Sequence, residues 1–319
     1  MSRVSIERLL AINDKAENTL KMRSLTGTTG FDNKLASYHI NRPGMNLFGY
    51  FDNFGYDRIQ IFGRGEIGYL AKLIAADDYR TIDEMFSYKI PLCVFTNNQE
   101  PPPAFTDRAR GHSIPVFVTE HSTGDLIERL TTILEEEFAP HTTLHGVFVE
   151  VFGVGVLIKG KSGVGKSEAA LELIQRGHRL IADDSVDFRA LRGSMVIGSS
   201  NRVLKYNMEV RGIGIINIAR LSGMSAIRNK KRLELIVILE DWKEDKEYDR
   251  TGLEDHTESI LGVEIPSLCI PVRPGRNIHI LIETAAKNER LKLLGYHSAK
   301  EFNKRVMRLF EGEEDDTGF

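Results

Sequence analysis

Apolar residues along this chain fall into short blocks separated by polar, glycine- or proline-bearing stretches, and the spacing inside each block predicts an element. Ser5 to Asn13 has helical spacing. "RIQIFG" (58–63), "IPLCVF" (90–95) and "IPVFVTE" (114–120) are apolar runs of strand length, with the helical stretches "EIGYLAKLIA" and "TDRARG" between them. Strands alternating with helices predict a small α/β domain with a partly parallel sheet. The prolines of "EPPPAF" predict a rigid extended connector inside it. Over 122–138, Leu126, Leu130, Ile133 and Leu134 share one helical face, Ser122 and Asp125 have capping-box spacing, and Pro140 stops the helix. The boundary of a first domain, 1–137, is placed there.

A second domain, 138–312, opens with two apolar strands around "FGVG", a hairpin turn within "HGVFVEVFGVGVLIKG". A glycine-rich loop follows, then a helix from Lys166 to Arg176 with Gly177 at its C-terminal cap. "RLIADD" reads as a buried strand and "DFRALRGSMVIG" as another hairpin. "RLELIVILE" (232–240) is the longest strand signal. Residues 241–257 are charged and lack any apolar period, so they predict a long loop of the kind that often carries function. A strand ending in "PVRPGRN" leads to a helix at 277–294, and Ser298 and Glu301 cap a last helix reaching Phe310. Residues 313–319 are an acidic tail.

Composition narrows the functional classes. The 319 residues are 41% hydrophobic and 27% charged, with a formal net charge of -3, and the isoelectric point is about 6.3. A nucleic-acid-binding domain is typically strongly basic, so this balance argues against that partner. No apolar run approaches the roughly 20 residues of a membrane span, and the N-terminal segment has no signal-peptide core. Cys93 and Cys269 both sit in apolar runs and read as buried strand thiols in a reducing, cytoplasmic setting.

"GKSGVGKS", Gly160, Lys161, Ser162, Gly163, Val164, Gly165, Lys166 and Ser167, matches G-x-x-x-x-G-K-[ST] at every position, between a strand and a helix. The glycines let successive N–H groups converge on one anion, and the helix adds its positive end. Lys166 is expected on the β- and γ-phosphates, and the Ser167 hydroxyl on Mg2+. Two acids, Asp183 and Asp184, end the next strand, and lie beside the loop if the two strands are neighbours. One carboxylate can support metal or water while the other accepts a substrate hydroxyl proton. Both are also ordinary turn residues. No guanine-reading N-K-x-D is present, since "NKKR" (229–232) departs from it.

Five segments in order carry a resemblance: "LHGVFVEVFGVGVLI", "GKSGVGKSE", "LIADD", "MEVRGIGIIN" and "PVRPGRN". With them the chain resembles the bacterial HPr kinase/phosphorylase family, over about 138–295. "NRPGMNLFGYF" (41–51) looks like that family's S-R-P-G element, with Asn41 in place of the serine. The resemblance implies a phosphate-loop kinase domain akin to phosphoenolpyruvate carboxykinase, following the small N-terminal α/β domain. It implies a bifunctional serine kinase and phosphorylase regulating carbon metabolism. ATP or pyrophosphate with Mg2+ would phosphorylate a serine of the sugar-phosphotransferase carrier HPr. Inorganic phosphate would remove the group again, giving pyrophosphate. A homo-hexamer is also implied.

The same resemblance assigns positions. Asp184 matches the general base, acting as general acid in reverse, and Asp183 supports it near the metal. Glu209 matches a second Mg2+ carboxylate; by itself it is a polar residue before a glycine turn. His145 matches an active-site histidine, and Arg250 a catalytic arginine. Met208, Glu209, Val210, Arg211, Gly212, Ile213, Gly214, Ile215, Ile216 and Asn217 form a motif serving both directions. Pro271, Val272, Arg273, Pro274, Gly275 and Arg276 form the dephosphorylation segment. The alternatives are a kinase of the same loop type acting on a small hydroxylic metabolite, and a nucleotide-binding regulator without transfer chemistry.

Overall fold

The computed structural model describes residues 3–15, 19–201, 204–249, 251–273 and 275–311. The acidic tail lies outside them. The chain divides into two units, Met1–Ala139 and Pro140–Phe319, each built on its own core.

In the first unit the elements run β1 (Val4–Ser5), α1 (Ile6–Lys15), β2 (Met22–Ser24), β3 (Lys34–Leu35), β4 (Ile40–Asn41), α2 (Gly44–Leu47), β5 (Ile59–Phe62), α3 (Arg64–Ala75), α4 (Arg80–Ser87), β6 (Cys93–Phe95), α5 (Pro103–Gly111), β7 (Val116–Thr119) and α6 (Thr123–Phe138). Its main sheet has the order β2-β7-β6-β5-β4, parallel except for β2. Both faces are covered, which is why the strands read as continuous apolar runs. Ile59, Ile61, Val94 and Phe117 join Leu126, Leu130 and Leu134 of α6 on one side. Phe62, Phe95, Val116 and Val118 join Leu70, Phe86 and Phe105 on the other. Each such side chain contributes about 2 kcal/mol by burial. Gln60 is a polar residue in this core, and its amide is fully occupied: it accepts from Asn41 at 2.7 Å and donates to the carbonyls of Gly55 and Arg58 at 2.8 Å each. Ser122 caps α6, its hydroxyl accepting from the Asp125 N–H at 3.2 Å. The connector "EPPPAF" is only half extended, because α5 begins at Pro103, where a proline's missing N–H costs nothing.

The second unit contains β8 (His141–His145), β9 (Val147–Val151), β10 (Val154–Gly160), α7 (Lys166–Gln175), β11 (Arg179–Ala182), β12 (Ser185–Leu191), β13 (Met195–Ser200), β14 (Asn207–Val210), β15 (Gly214–Asn217), α8 (Ile218–Ser222), a 3-10 turn (Met224–Ala226), β16 (Lys230–Arg232), β17 (Leu235–Asp241), β18 (Thr257–Ile260), β19 (Val263–Val272), α9 (Ile278–Leu293) and α10 (Ser298–Glu311). A six-stranded sheet, β11-β9-β10-β17-β19-β18, is the backbone of the unit. β10, β17 and β19 are mutually parallel, β9 is antiparallel to β10, and β11 is antiparallel to β9. β10, β11, β17 and β19 therefore all point their carboxyl ends the same way. One face carries α7 and α9, around Val149, Val156, Ile158, Leu173 and Val237. The other packs Phe148, Leu157 and Ile236 against Val186, Phe188 and Val196 of a second sheet, β16-β13-β12-β8.

Three pairs of ionisable groups join α7 and the residues just after it to α9. Arg176 donates from Nε and Nη2 to Glu283 at 2.7 and 2.9 Å, His178 Nε2 lies 2.9 Å from the same carboxylate, and Glu172 pairs with His279. The hydrogen bonds from Arg176 are the main cause holding the Glu283 carboxyl down to about 2, against the opposing effect of burial, and His178 adds to them.

Three expectations change. The strand predicted over 232–240 is split: Lys230–Arg232 pairs with β13 in the second sheet, and β17 starts at Leu235. Among the described residues the longest strand is β19, with ten residues. Cys93 is buried but Cys269 is exposed, because it lines an open hollow between the 241–257 loop and α9. Among the described residues, no helix is long and apolar enough to cross a membrane.

Candidate active site

β10 delivers the chain to the phosphate loop, and α7 leaves it. Gly160, Gly163 and Gly165 have φ of +148°, +85° and +96°, values L side chains rarely adopt. A β-carbon on Gly160 would lie 2.5 Å from the Leu239 carbonyl oxygen of the neighbouring β17. The loop is pinned to the core by Val164, 7% exposed. Lys166 Nζ donates to the carbonyls of Gly160 and Lys161, each at 3.0 Å, so the ammonium folds over the hollow of its own loop.

The strands carrying the loop and the acids are not neighbours, the condition on which the sequence placed the acids beside the loop. β9 lies between β10 and β11. Because β9 is antiparallel to both, the acids still emerge at the carboxyl end where the loop sits. Asp183 is 4% exposed, accepts from the Ser167 hydroxyl at 3.2 Å and from the Glu209 N–H at 2.9 Å. Burial pushes its carboxyl above the ordinary aspartate range, and those two hydrogen bonds oppose the rise. Asp184 faces outward, its side chain 71% exposed. Its φ of +62° lies at the point where the chain leaves β11 in one sheet and enters β12 in the other. The Gly146 N–H donates to the Asp184 carbonyl at 3.1 Å. His145, the last residue of β8, places Nδ1 3.8 Å from Asp184 Oδ1.

The 208–217 stretch forms a β14–β15 hairpin, with Gly212 and Gly214 at φ of +82° and +98°. The hairpin brings Glu209 to the loop through its backbone bond to Asp183, and it brings Arg211, whose Nη2 donates to Ser162 Oγ at 3.1 Å. Ser162, Gly163, Gly165, Lys166, Ser167, Asp183, Asp184, Glu209 and Arg211 line one cavity of about 120 Å3, together with Val147 and Glu168. That is room for a phosphoryl group and a water or two, at about 30 Å3 per water. Glu168 was missed from the sequence, although an acid in the first turn of a helix that follows a phosphate loop is a visible signal.

The 271–276 segment is not in this cavity. The Arg273 guanidinium lies 3.2 Å above the Trp242 ring, and Arg276 Nη1 donates to the Pro271 carbonyl at 3.0 Å. Arg276 and Trp242 line a separate hollow of about 1040 Å3 beneath the 241–257 loop. Arg250 and Pro274 lie outside the described residues.

The donor set suits a small hard cation. Among the described residues no group of three or more His, Cys, Asp or Glu side chains is gathered to hold a metal alone. Mg2+ takes one or two carboxylates and completes its shell with phosphate oxygens and water, so the Ser167 hydroxyl beside Asp183, with Glu209 adjacent, fits it.

Comparison with known proteins places this geometry in a lineage. Residues 4–134 match the family model described as HPr Serine kinase N terminus, and residues 136–306 match the HPr Serine kinase C-terminal domain. The chain is 47% identical over 304 residues to the HPr kinase/phosphorylase of Treponema pallidum (strain Nichols), covering 95% of each chain. It is 46% identical over 305 residues to the HPr kinase/phosphorylase of Leptospira biflexa serovar Patoc, covering 95% of this chain and 94% of the relative. The phosphate loop, the paired acids and the two matched domains together show that this chain belongs to the HPr serine kinase family and is a phosphoryl-transferring enzyme.

Proposed function

We propose that the protein phosphorylates a serine of HPr from ATP or pyrophosphate, and that with inorganic phosphate it removes the group again, in the cytoplasm and as a homo-hexamer, to regulate carbon metabolism. One observation carries the chemistry: an exposed carboxylate, Asp184, borders the same cavity as Lys166, while its buried neighbour Asp183 is engaged with Ser167. The two acids thus have different surroundings and different work, as acid–base sites require.

In the forward direction Lys166 and the loop N–H groups hold the polyphosphate, and Asp184 takes the proton of the serine hydroxyl as its oxygen attacks the terminal phosphorus. His145 stands beside the carboxylate, its Nδ1 3.3 Å from the Asp184 carbonyl oxygen and 3.8 Å from Oδ1. When bound, Mg2+ supplies charge neutralisation of the phosphoryl oxygens; Ser167, Asp183 and Glu209 are the residues that would hold it. Arg211 adds positive charge at the Ser162 side of the loop. In reverse, an oxygen of HPO4(2−) attacks the phosphoserine phosphorus and the bond to the serine oxygen breaks. The phosphate proton passes by way of Asp184 to that oxygen, leaving free serine and pyrophosphate. Arg250, Arg273 and Arg276 are assigned to charge stabilisation and phosphate capture. Positioning and electrostatics supply most of the rate.

The test is Asp184→Asn with purified HPr, labelled ATP and magnesium. Transfer in both directions is expected to fall at least about 1000-fold, on the scale of a lost general base together with its charge, with ATP binding within about threefold of the unaltered protein. Transfer by the variant at an undiminished rate would remove Asp184 from the mechanism. Labelling of a small hydroxylic compound instead of HPr, or ATP binding with no phosphorylated product, would replace the reading altogether.

A further inference from the structure

The carboxyl ends of four strands meet at one end of the six-stranded sheet, and the residues that follow them are the phosphate loop after β10, Asp183 and Asp184 after β11, Trp242 after β17 and Arg273 after β19. Ligands of open α/β sheets bind at that end. The first two contributions are already placed in the cavity. Trp242, the only tryptophan in the chain, has no role in the proposed chemistry.

Its surroundings give it one. The β17–β19 pairing extends one residue further, with the Trp242 N–H donating to the Val272 carbonyl at 3.1 Å, so Trp242 is anchored beside the residue that precedes Arg273. The Arg273 guanidinium lies 3.2 Å from the ring centroid, and Tyr248 stacks on the same ring at 4.9 Å and 26°. The indole Nε1 is buried with no hydrogen-bond partner among the described residues. A buried tryptophan usually satisfies that donor; here the faces of the ring, not its N–H, are engaged. Arg276 spends its Nη1 on the Pro271 carbonyl. Arg273 makes no ion pair among the described residues, so its planar N–H edge is uncommitted while its face is held. A guanidinium held by its face keeps its forked edge available for two oxygens of one anion, and little orientational freedom is left to lose on binding.

We propose that Trp242 is a positioning residue for the phosphate-consuming direction: its ring holds Arg273 flat at the carboxyl end of β19, with the guanidinium edge presented to inorganic phosphate. Tyr248 braces the ring from within the 241–257 loop, so the loop and the 271–276 segment act as one piece. The proposal rests on the functional reading above and adds to it the side chain that sets phosphate affinity.

The experiment measures pyrophosphate release from phosphorylated HPr as inorganic phosphate is varied, for the full-length protein and for Trp242→Ala, Trp242→Phe, Arg273→Lys and the Trp242→Ala/Arg273→Lys pair. Trp242→Ala is expected to raise KM for phosphate about tenfold, the worth of a partly desolvated cation–π contact, with kcat at saturating phosphate within about twofold. Trp242→Phe, which keeps a ring face, is expected to recover most of the affinity. Arg273→Lys should raise KM similarly, and the pair no further than either alone. An unchanged KM in Trp242→Ala, a fall in kcat without a change in KM, failure of Trp242→Phe to recover affinity, or additive losses in the pair would each overturn the positioning role. If the unaltered protein releases no pyrophosphate while it phosphorylates HPr, the phosphate-consuming reading itself fails, and this proposal with it.

Discussion

A β-carbon at Gly163 would sit 2.6 Å from Arg211 Nη1, and the backbone there has φ +85°. Gly163→Ala therefore meets two costs, about 1 kcal/mol of backbone strain and displacement of the Arg211 guanidinium from Ser162. ATP affinity measured by titration is expected to fall about tenfold, with the melting temperature changed by only a few degrees. Asp184 presents the opposite case. Its φ of +62° suits Asn as well as Asp. Asp184→Asn thus removes the proposed proton carrier without asking the backbone to move, and a loss of transfer in that variant reports chemistry rather than folding. The loop and the two acids were legible from sequence because their signal is local: glycine spacing, one lysine, a strand ending in aspartates. Which acid is buried was not legible. It follows from Ser167 and the Glu209 N–H, residues 16 and 26 positions away, closing on Asp183.

At the scale of elements, the contacts that tie the C-terminal end of α7 to α9 make part of the stability depend on pH. Glu283 is buried and takes bonds from Arg176 and His178. Its carboxyl is depressed from 4.5 to about 2. A depressed carboxylate contributes stability that is complete above its unfolded value and is lost as pH falls through its folded value. The contribution is therefore full at pH 7, and declines between about pH 4.5 and pH 2. Glu283→Gln is expected to be about 2 kcal/mol less stable at pH 7, less than the loss of a fully buried pair because Arg176 is half exposed, with the difference narrowing below pH 4.5; denaturant titrations at pH 7, 4 and 3 check it. Elements with a strong apolar pattern were read correctly, among them α6 and the β9–β10 and β12–β13 hairpins. β8 was missed because "HTTLH" has no apolar pattern. It is a strand through pairing with β12, where Thr143 donates to Asp187 at 2.7 Å. The β14–β15 hairpin was missed because Ile213 and Ile215 are exposed, 69% and 78%, so apolarity there does not report burial. The Trp242–Arg273 stack joins residues 31 positions apart, and no local pattern announces it.

For the whole molecule, the division after Ala139 separates two sets of core residues that do not intermix. A fragment spanning 140–319 is expected to unfold cooperatively and to bind ATP, since every residue lining the phosphate-loop cavity belongs to it. Calorimetry and nucleotide titration of the fragment check this; a non-cooperative melt would show that the second core needs the first. Within that unit, strand polarity separates two poles. The phosphate loop, the paired acids, Trp242 and Arg273 follow the ends of β10, β11, β17 and β19, while tight turns at Phe152–Gly153, Gly177 and Leu261–Gly262 occupy the other pole, their residues in left-handed conformations. The seven residues of β10 put roughly 23 Å between the poles, at 3.3 Å per residue. A tether or fluorescent label attached beside Gly262 would stand a strand's length from the nucleotide, so the molecule can be anchored to a surface by that pole and observed through its turnover.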